Sequence, residues 1–384
     1  MTDPNVWKRT SMFKQIVMAA ASSMALMNAA SALADEPVSI GFTATLTGDF
    51  ASYGVDVRKG LDLGIAEVNA QGGPQLVLKV IDDHGQPNDG VLAAGQFCED
   101  AKVSAVVGYT FSSVALAAAP ILKKCKMPVV ASAVTSPELT GVNKYFRRVI
   151  LTDASQGAKM GNYVAHQMGA RQVYVLYQQD DYGMGVSKAF KEAFTAAGGK
   201  IAGESSYNLG TKDFRTILAR LKATNPDAIF IGGFYTEAAM IASQGKDIGL
   251  TAKLIGTDGA LSPQLMQLSG NAAEGMTLYG MFDPGSAPSP QTAEFVKAYK
   301  EKYHQDPNEW AALGYDTALS IGAGAKAAKQ KGEVNRETMN TALANIKNLP
   351  GATGNISFQP DGDRAGSLYY FTVRGGKFVL AGKQ

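Results

Sequence analysis

The chain has 384 residues, of which 46% are hydrophobic and 18% charged, and its formal net charge is +2. That length favours two domains over one, and the apolar fraction excludes a disordered chain. A charge this close to zero leaves no electrostatic case for binding nucleic acid.

The N-terminus reads as a targeting segment. Lys8, Arg9 and Lys14 form a basic region, residues 15–34 carry no charge, and Ala32-Leu33-Ala34 ahead of Asp35 is a small-x-small cleavage site. Residues 1–34 are therefore expected to be a signal peptide cleaved after Ala34, and the rest an exported chain. Met12, just before Phe13-Lys14, offers a second possible start. Without the leader, 33 basic and 33 acidic residues remain. No other apolar run is long enough to span a bilayer. Cys98 and Cys125 each lie near the end of a predicted helix, just before a strand. An even cysteine count in an exported chain favours a disulfide between them. His84, His166 and His304 are scattered with no paired spacing, so neither a metal site nor a cofactor is expected.

Strand and helix patterns then alternate. Val38 to Phe42 reads as a strand, Thr43 to Tyr53 as a turn-rich loop, and Asp56 to Ala70 as a helix. Leu76 to Ile81 is a strand, Pro87 to Asp100 a helix, and Val103 to Val107 a strand. Gly108 to Ser113, with the sequence GYTFSS, turns into the Ala- and Leu-rich helix Val114 to Lys124. The strand Pro128 to Ala131 ends in another hydroxyl-bearing stretch, Ser132 to Ser136, and Tyr145 to Val149 is one more strand. A second series follows: helix Ala154 to Met168, strand Gln172 to Tyr177, helix Val186 to Ala197 and strand Lys200 to Tyr207. Helix Phe214 to Ala223, strand Ala228 to Ile231, helix Tyr235 to Ile248 and strand Lys253 to Gly256 complete it. Three helices come next, Gln291 to Lys302, Trp310 to Lys329 and Arg336 to Ile346. The chain closes with strands Asn355 to Phe358, Leu368 to Val373 and Lys377 to Leu380. The expected fold is α/β, with two parallel sheets, each covered by helices.

Ligands of open parallel sheets sit beyond the C-terminal strand ends. The first series places Tyr53, Phe111, Ser112, Ser113, Ala133 and Thr135 there, and the second places Tyr182, Phe234, Tyr235 and Asp258. One set offers hydroxyls and the free N–H groups of a helix start, suited to an anion. The other offers a carboxylate for a cation, with aromatic walls. A small zwitterion with an apolar side chain satisfies both. Helix capping accounts equally for Ser112, Thr135 and Ser136 taken singly.

Catalytic motifs are absent. There is no Gly-x-Ser-x-Gly turn and no phosphate loop, and Lys188 stands where a dinucleotide fingerprint begun at Gly183-Met-Gly185 needs its third glycine. An exported α/β hydrolase is the alternative class.

The chain resembles the periplasmic leucine/isoleucine/valine-binding proteins, the type I solute-binding components of ABC importers. The resemblance spans almost all of residues 38–380. It rests on the joint order of Thr47-Gly48, Tyr53-Gly54, Val68-Asn69-Ala70-x-Gly72-Gly73, Asp82-Asp83, Ser136-Pro137-Glu138-Leu139-Thr140, Asp181-Tyr182-Gly183-x-Gly185 and Gly232-Gly233-Phe234. It implies two Rossmann-like lobes joined by a three-segment hinge: 35–152 with 283–364, and 153–282 with 365–384. It implies a periplasmic, monomeric protein that is no enzyme and delivers its ligand to a membrane permease. Ser112, with the backbone near Ala133 and Thr135, would take a carboxylate, and Asp258 an ammonium. Tyr182 and Phe234 would line the pocket and Tyr53 would border it. Relatives closest to leucine binding carry Glu where Asp258 stands and Tyr where Phe234 stands, and some carry Cys where Phe111 stands. The site is thereby more aromatic, which makes benzoate- or hydroxycinnamate-type carboxylates the alternative ligand class.

Overall fold

The short apolar runs become parallel strands because each is flanked by a helix long enough to return the chain to the same edge. A computed structural model describes residues 36–286 and 289–383, which leaves the leader and its cleavage site outside the described residues. From Val38 on, the chain packs as one unit. The first sheet holds β1 (Val38–Ala44), β2 (Leu76–Asp82), β3 (Val103–Val107), β4 (Val129–Ala131) and β5 (Phe146–Arg148). Their order is β2-β1-β3-β4-β5, and every pairing is parallel. Residues of β3 are buried throughout, as expected of a strand covered on both faces.

The second sheet is built around β6 (Gln172–Gln178), β7 (Lys200–Tyr207), β8 (Ala228–Gly232) and β9 (Lys253–Gly256). It continues through β10 (Thr277–Gly280) into the antiparallel pair β11 (Tyr369–Arg374) and β12 (Lys377–Lys383). The order is β12-β11-β10-β9-β8-β6-β7. Gly375 and Gly376 join the last two strands with positive φ of 56° and 71°, the geometry a two-residue hairpin turn demands.

Helices α1 (Ala51–Ala70), α2 (Pro87–Glu99) and α3 (Ser112–Lys124) serve the first sheet. Those of the second are α4 (Asp153–His166), α5 (Asp181–Ala196), α6 (Arg215–Lys222), α7 (Tyr235–Asp247) and α8 (Pro263–Ser269). The late helices α9 (Pro290–Tyr303), α10 (Glu309–Gln330) and α11 (Arg336–Ala344) return to the first sheet. Helix α10 lies hard against α1. A Cβ on Gly60 would fall 1.8 Å from the Ala311 carbonyl oxygen, and one on Gly314 would fall 2.1 Å from that of Val57. Arg336 of α11 donates to the carbonyls of Phe97, Cys98, Asp100, Val103 and Cys125. The sulfurs of Cys98 and Cys125 lie 2.10 Å apart beside it.

The chain passes between the sheets after β5, after β10 and before β11, and the three passages touch. Leu151 N–H donates to Met281 Sδ at 3.2 Å, and Met281 N–H to Glu309 Oε1 at 2.7 Å. Arg364 donates to the Val149 carbonyl at 2.9 Å and lies 3.5 Å from Asp316, both side chains buried.

Four expectations need correction. Helix α1 begins at Ala51, not Asp56, so Tyr53 stands in its first turn instead of in a loop. Helix α5 likewise begins at Asp181, not Val186, because Asp180 caps it, so Tyr182 stands in a first turn as well. Residues 355–358 form no strand; Ile356 and Phe358 make single bridges to Leu349 and Arg364. The four-residue β10 was not expected, because a run that short carries little periodicity.

Candidate ligand-binding site

The C-terminal strand ends of both sheets face a common cavity. Tyr53, Thr110, Ser112, Ala133 and Trp310 line it from the first sheet's side, and Tyr182, Phe234, Asp258 and Gly259 from the second's. Its free space of about 10 Å³ has room for a single water. A wider groove of about 560 Å³ lies between Cys125, Lys144 and Arg336, where the first sheet's strands begin, the end that collects no ligands in parallel sheets.

On the first side, β3 ends in Gly108 to Phe111 and α3 starts at Ser112. Phe111 occupies the cap position of α3 with no side-chain hydrogen bond. The first-turn N–H groups of α3 therefore stay free for an anion. Ser112 Oγ accepts from Ser136 N–H at 3.2 Å, which leaves its own proton to donate. Capping does explain Ser136, whose Oγ accepts from Glu138 N–H at 3.3 Å. It explains neither Ser112 nor Thr135, whose buried hydroxyl sits beside the Asp153 carboxylate.

On the second side, Asp180 caps α5, its Oδ1 accepting from Gly183 N–H at 2.8 Å, and this sets Tyr182 in the first turn. Tyr182 donates its phenol to Asp258 Oδ1 at 2.6 Å. The same oxygen accepts Gly259 N–H at 2.8 Å, and Oδ2 accepts Gln156 Nε2 at 3.1 Å. Phe234, an uncapped helix start like Phe111, stacks on Tyr182 with centroids 5.0 Å apart. Only glycine fits at 259, since a Cβ there would meet the Tyr182 hydroxyl at 2.7 Å and the Gly233 carbonyl at 2.9 Å.

The two sides touch directly. The Tyr53 hydroxyl donates to the Gly259 carbonyl. Tyr235 donates to the Asp49 carbonyl at 2.7 Å and shares a 2.9 Å bond with the Ser52 hydroxyl. Phe111 and Phe234 meet edge to face at 4.9 Å, with Phe50 against both. A ligand of more than a few atoms must therefore enter after the sides separate.

Of the expected site residues, Tyr53, Ser112, Ala133, Tyr182, Phe234 and Asp258 line the cavity. Phe111 backs its wall through Phe234. Ser113 is half-buried on α3, away from the lining. Thr135 lies behind it, its carbonyl accepting from Asp153 N–H at 2.8 Å.

The periplasmic binding protein family model matches residues 37–377. The chain belongs to this family. A Leu/Ile/Val-binding protein homolog of Brucella abortus is 30% identical over 338 residues, 86% of this chain and 89% of that protein. The leucine-, isoleucine-, valine-, threonine-, and alanine-binding protein of Pseudomonas aeruginosa is also 30% identical, over 89% and 91% of the two chains. Among solved structures, a leucine-binding protein from Thermotoga maritima superposes with a TM-score of 0.85 at 31% identity, covering 90% of this chain and 98% of its own. A branched-chain amino acid transporter substrate-binding protein from Streptococcus pneumoniae, in complex with isoleucine, gives 0.84 at 28% identity over 91% and 99%. As a periplasmic binding protein, the chain captures a solute and is not an enzyme.

Asp258, in the cavity wall, interacts with two buried acids behind it, Asp153 and Glu309, that sequence reasoning missed. Burial pushes Asp258 above the usual carboxylate range in spite of its three donors. Asp153 and Glu309 are fully buried and pushed well above that range, first by burial and then by the charge of Asp258. Among the described residues Oε2 of Glu309 lacks a hydrogen-bond partner, and the Asp153 carboxylate has only the Thr135 hydroxyl beside it. Their positions, each one residue inside a helix start, looked like ordinary first-turn acids. Trp310 and Thr110 were also missed as site residues. Thr110 lay in plain view within GYTFSS, and Trp310 marked only the start of a helix.

Proposed function

We propose that this binding protein captures a small amino acid with a mainly apolar side chain, leucine, isoleucine or valine being the reference ligands. One observation carries the reading: a single buried cavity presents a serine hydroxyl and free helix N–H groups at one side and a carboxylate at the other. Those ends match an α-carboxylate and an α-ammonium, and the aromatic rings between them suit an apolar side chain. The ligands named for the relatives support the same class.

In this reading the lobes are 35–152 with 283–364 and 153–282 with 365–384. The ligand binds the first lobe through its carboxylate, and rotation about the three adjacent crossings brings Asp258 and Tyr182 over it. The protein works as a monomer, with its leader cleaved after Ala34 and Cys98 bonded to Cys125, and its closed form docks on the membrane permease of an ABC importer. A thermal-shift screen of aliphatic amino acids against benzoate and hydroxycinnamates tests the class. A tight ligand raises the melting temperature by mass action. Shifts with the aromatic acids alone would replace the amino-acid reading with the aromatic one.

A further inference from the structure

Trp310 lines the cavity and is only 4% exposed, yet its indole N–H has no acceptor among the described residues. A buried donor without an acceptor is destabilising and calls for a partner from outside the chain. Gly259 and Asp258, which line the cavity with it, already serve other donors. The Gly259 carbonyl takes the Tyr53 hydroxyl, Asp258 Oδ1 takes Tyr182 and Gly259, and Asp258 Oδ2 takes Gln156.

The indole is also firmly held. Asn308 caps α10, its Oδ1 accepting from Ala311 N–H at 3.0 Å, while its own amide donates to Asp56 Oδ2 at 2.7 Å. Glu309 is fastened by Met281 N–H on one flank. The ring stands at 90° to that of Tyr53, with centroids 5.1 Å apart. Swinging the indole to another acceptor would break this packing.

We propose that Trp310 is a specificity-determining residue whose indole N–H donates to an acceptor on the ligand's side chain. The cavity then favours small amino acids carrying a side-chain oxygen over hydrocarbon isosteres of the same volume. This rests on the amino-acid reading above, in which Ser112 and the start of α3 hold the α-carboxylate. A site with a buried donor discriminates against an isostere that leaves that donor unpaired.

Threonine and valine differ by a hydroxyl in place of a methyl, and asparagine and leucine are a second matched pair. Titration calorimetry on the full mature chain should find threonine bound about fivefold to tenfold more tightly than valine, the size of one net hydrogen bond. Trp310→Phe keeps an aromatic side chain, though a smaller one, and removes the donor. It should erase the threonine preference by weakening threonine more than valine, whatever the smaller ring does to both. A wild type that binds valine as well as threonine would overturn the proposal. So would a Trp310→Phe protein that loses affinity for both equally, since the N–H would then serve the carboxylate. If every amino acid fails and benzoate binds, the amino-acid reading falls first. Benzoate against 4-hydroxybenzoate, with and without Trp310→Phe, then decides the role of the indole by the same criterion.

Discussion

Asp258→Asn isolates the ammonium end of the cavity. In the wild type, Oδ1 accepts from Tyr182 and Gly259, and Oδ2 accepts from Gln156. Asparagine keeps one acceptor oxygen for the first two donors and turns an amide toward Gln156. Gln156 can answer by presenting its Oε1, which is buried and unpartnered, although its bond to the Leu151 carbonyl would be lost. The ligand-free fold thus loses about one hydrogen bond and sheds a desolvated carboxylate, so its melting temperature should change little. Binding should change more. A charge-assisted hydrogen bond to an ammonium contributes about 1.5–3 kcal/mol, which converts to a loss of roughly 10- to 150-fold. Calorimetry with leucine or isoleucine should show that loss. Benzoate, which has no ammonium, should bind the variant at least as well as the wild type. Leucine affinity within about threefold of wild type would refute the ammonium role and leave Asp258 as a clamp for Tyr182.

Ser112→Ala removes the hydroxyl at the carboxylate end and should weaken leucine and benzoate alike by about tenfold or more. Unchanged affinity would assign carboxylate binding to backbone N–H groups alone. Tyr53→Phe breaks the bond from α1 to the Gly259 carbonyl. The ligand-free protein should then spend more time open, read as a larger radius of gyration in small-angle scattering, and no increase would show that this bond does not hold the sides together. The buried acids give a pH signature. Asp153 and Glu309 hold protons more tightly in the folded chain than in the unfolded one. Stability should therefore fall as pH rises from about 4, the ordinary carboxylate value, through their raised folded values. The ligand-free melting temperature should be higher near about pH 5 than near about pH 8. Asp153→Asn with Glu309→Gln should flatten that slope, and an unchanged slope would show that other groups set it.

The legible part of the chain was the part carried by periodicity. The strands at 103–107 and 228–232 read as continuous apolar runs because both faces of each are covered, and each leads through a short glycine-bearing turn into a helix. That pattern made the two sheets and their strand ends visible, and with them Ser112, Tyr182, Phe234 and Asp258. It failed where local signal was short or ambiguous. Residues 355–358 alternate like a strand but have no sheet edge to join, and 277–280 pair between two strands that come from distant parts of the chain. Helix α1 starts early because its first turn, Ala51 to Gly54, packs against the cleft, a stabilisation that propensity does not register.

The α/β alternation and the chemistry available at each strand end were determined by the sequence itself, since they depend on residue types and near neighbours. Which of those groups share one cavity was decided by the tertiary structure. Trp310, Asp153 and Glu309 reach the site only because α10 returns to lie on α1 and the three crossings meet at Met281. Tertiary packing also separated the hydroxyls of the 108–136 region into roles. Ser136 is spent on a cap, Thr135 sits behind the wall, and Ser112 faces the ligand's space. Serine is equally suited to a cap, a core contact or a donor, and only the position of its neighbours selects among them.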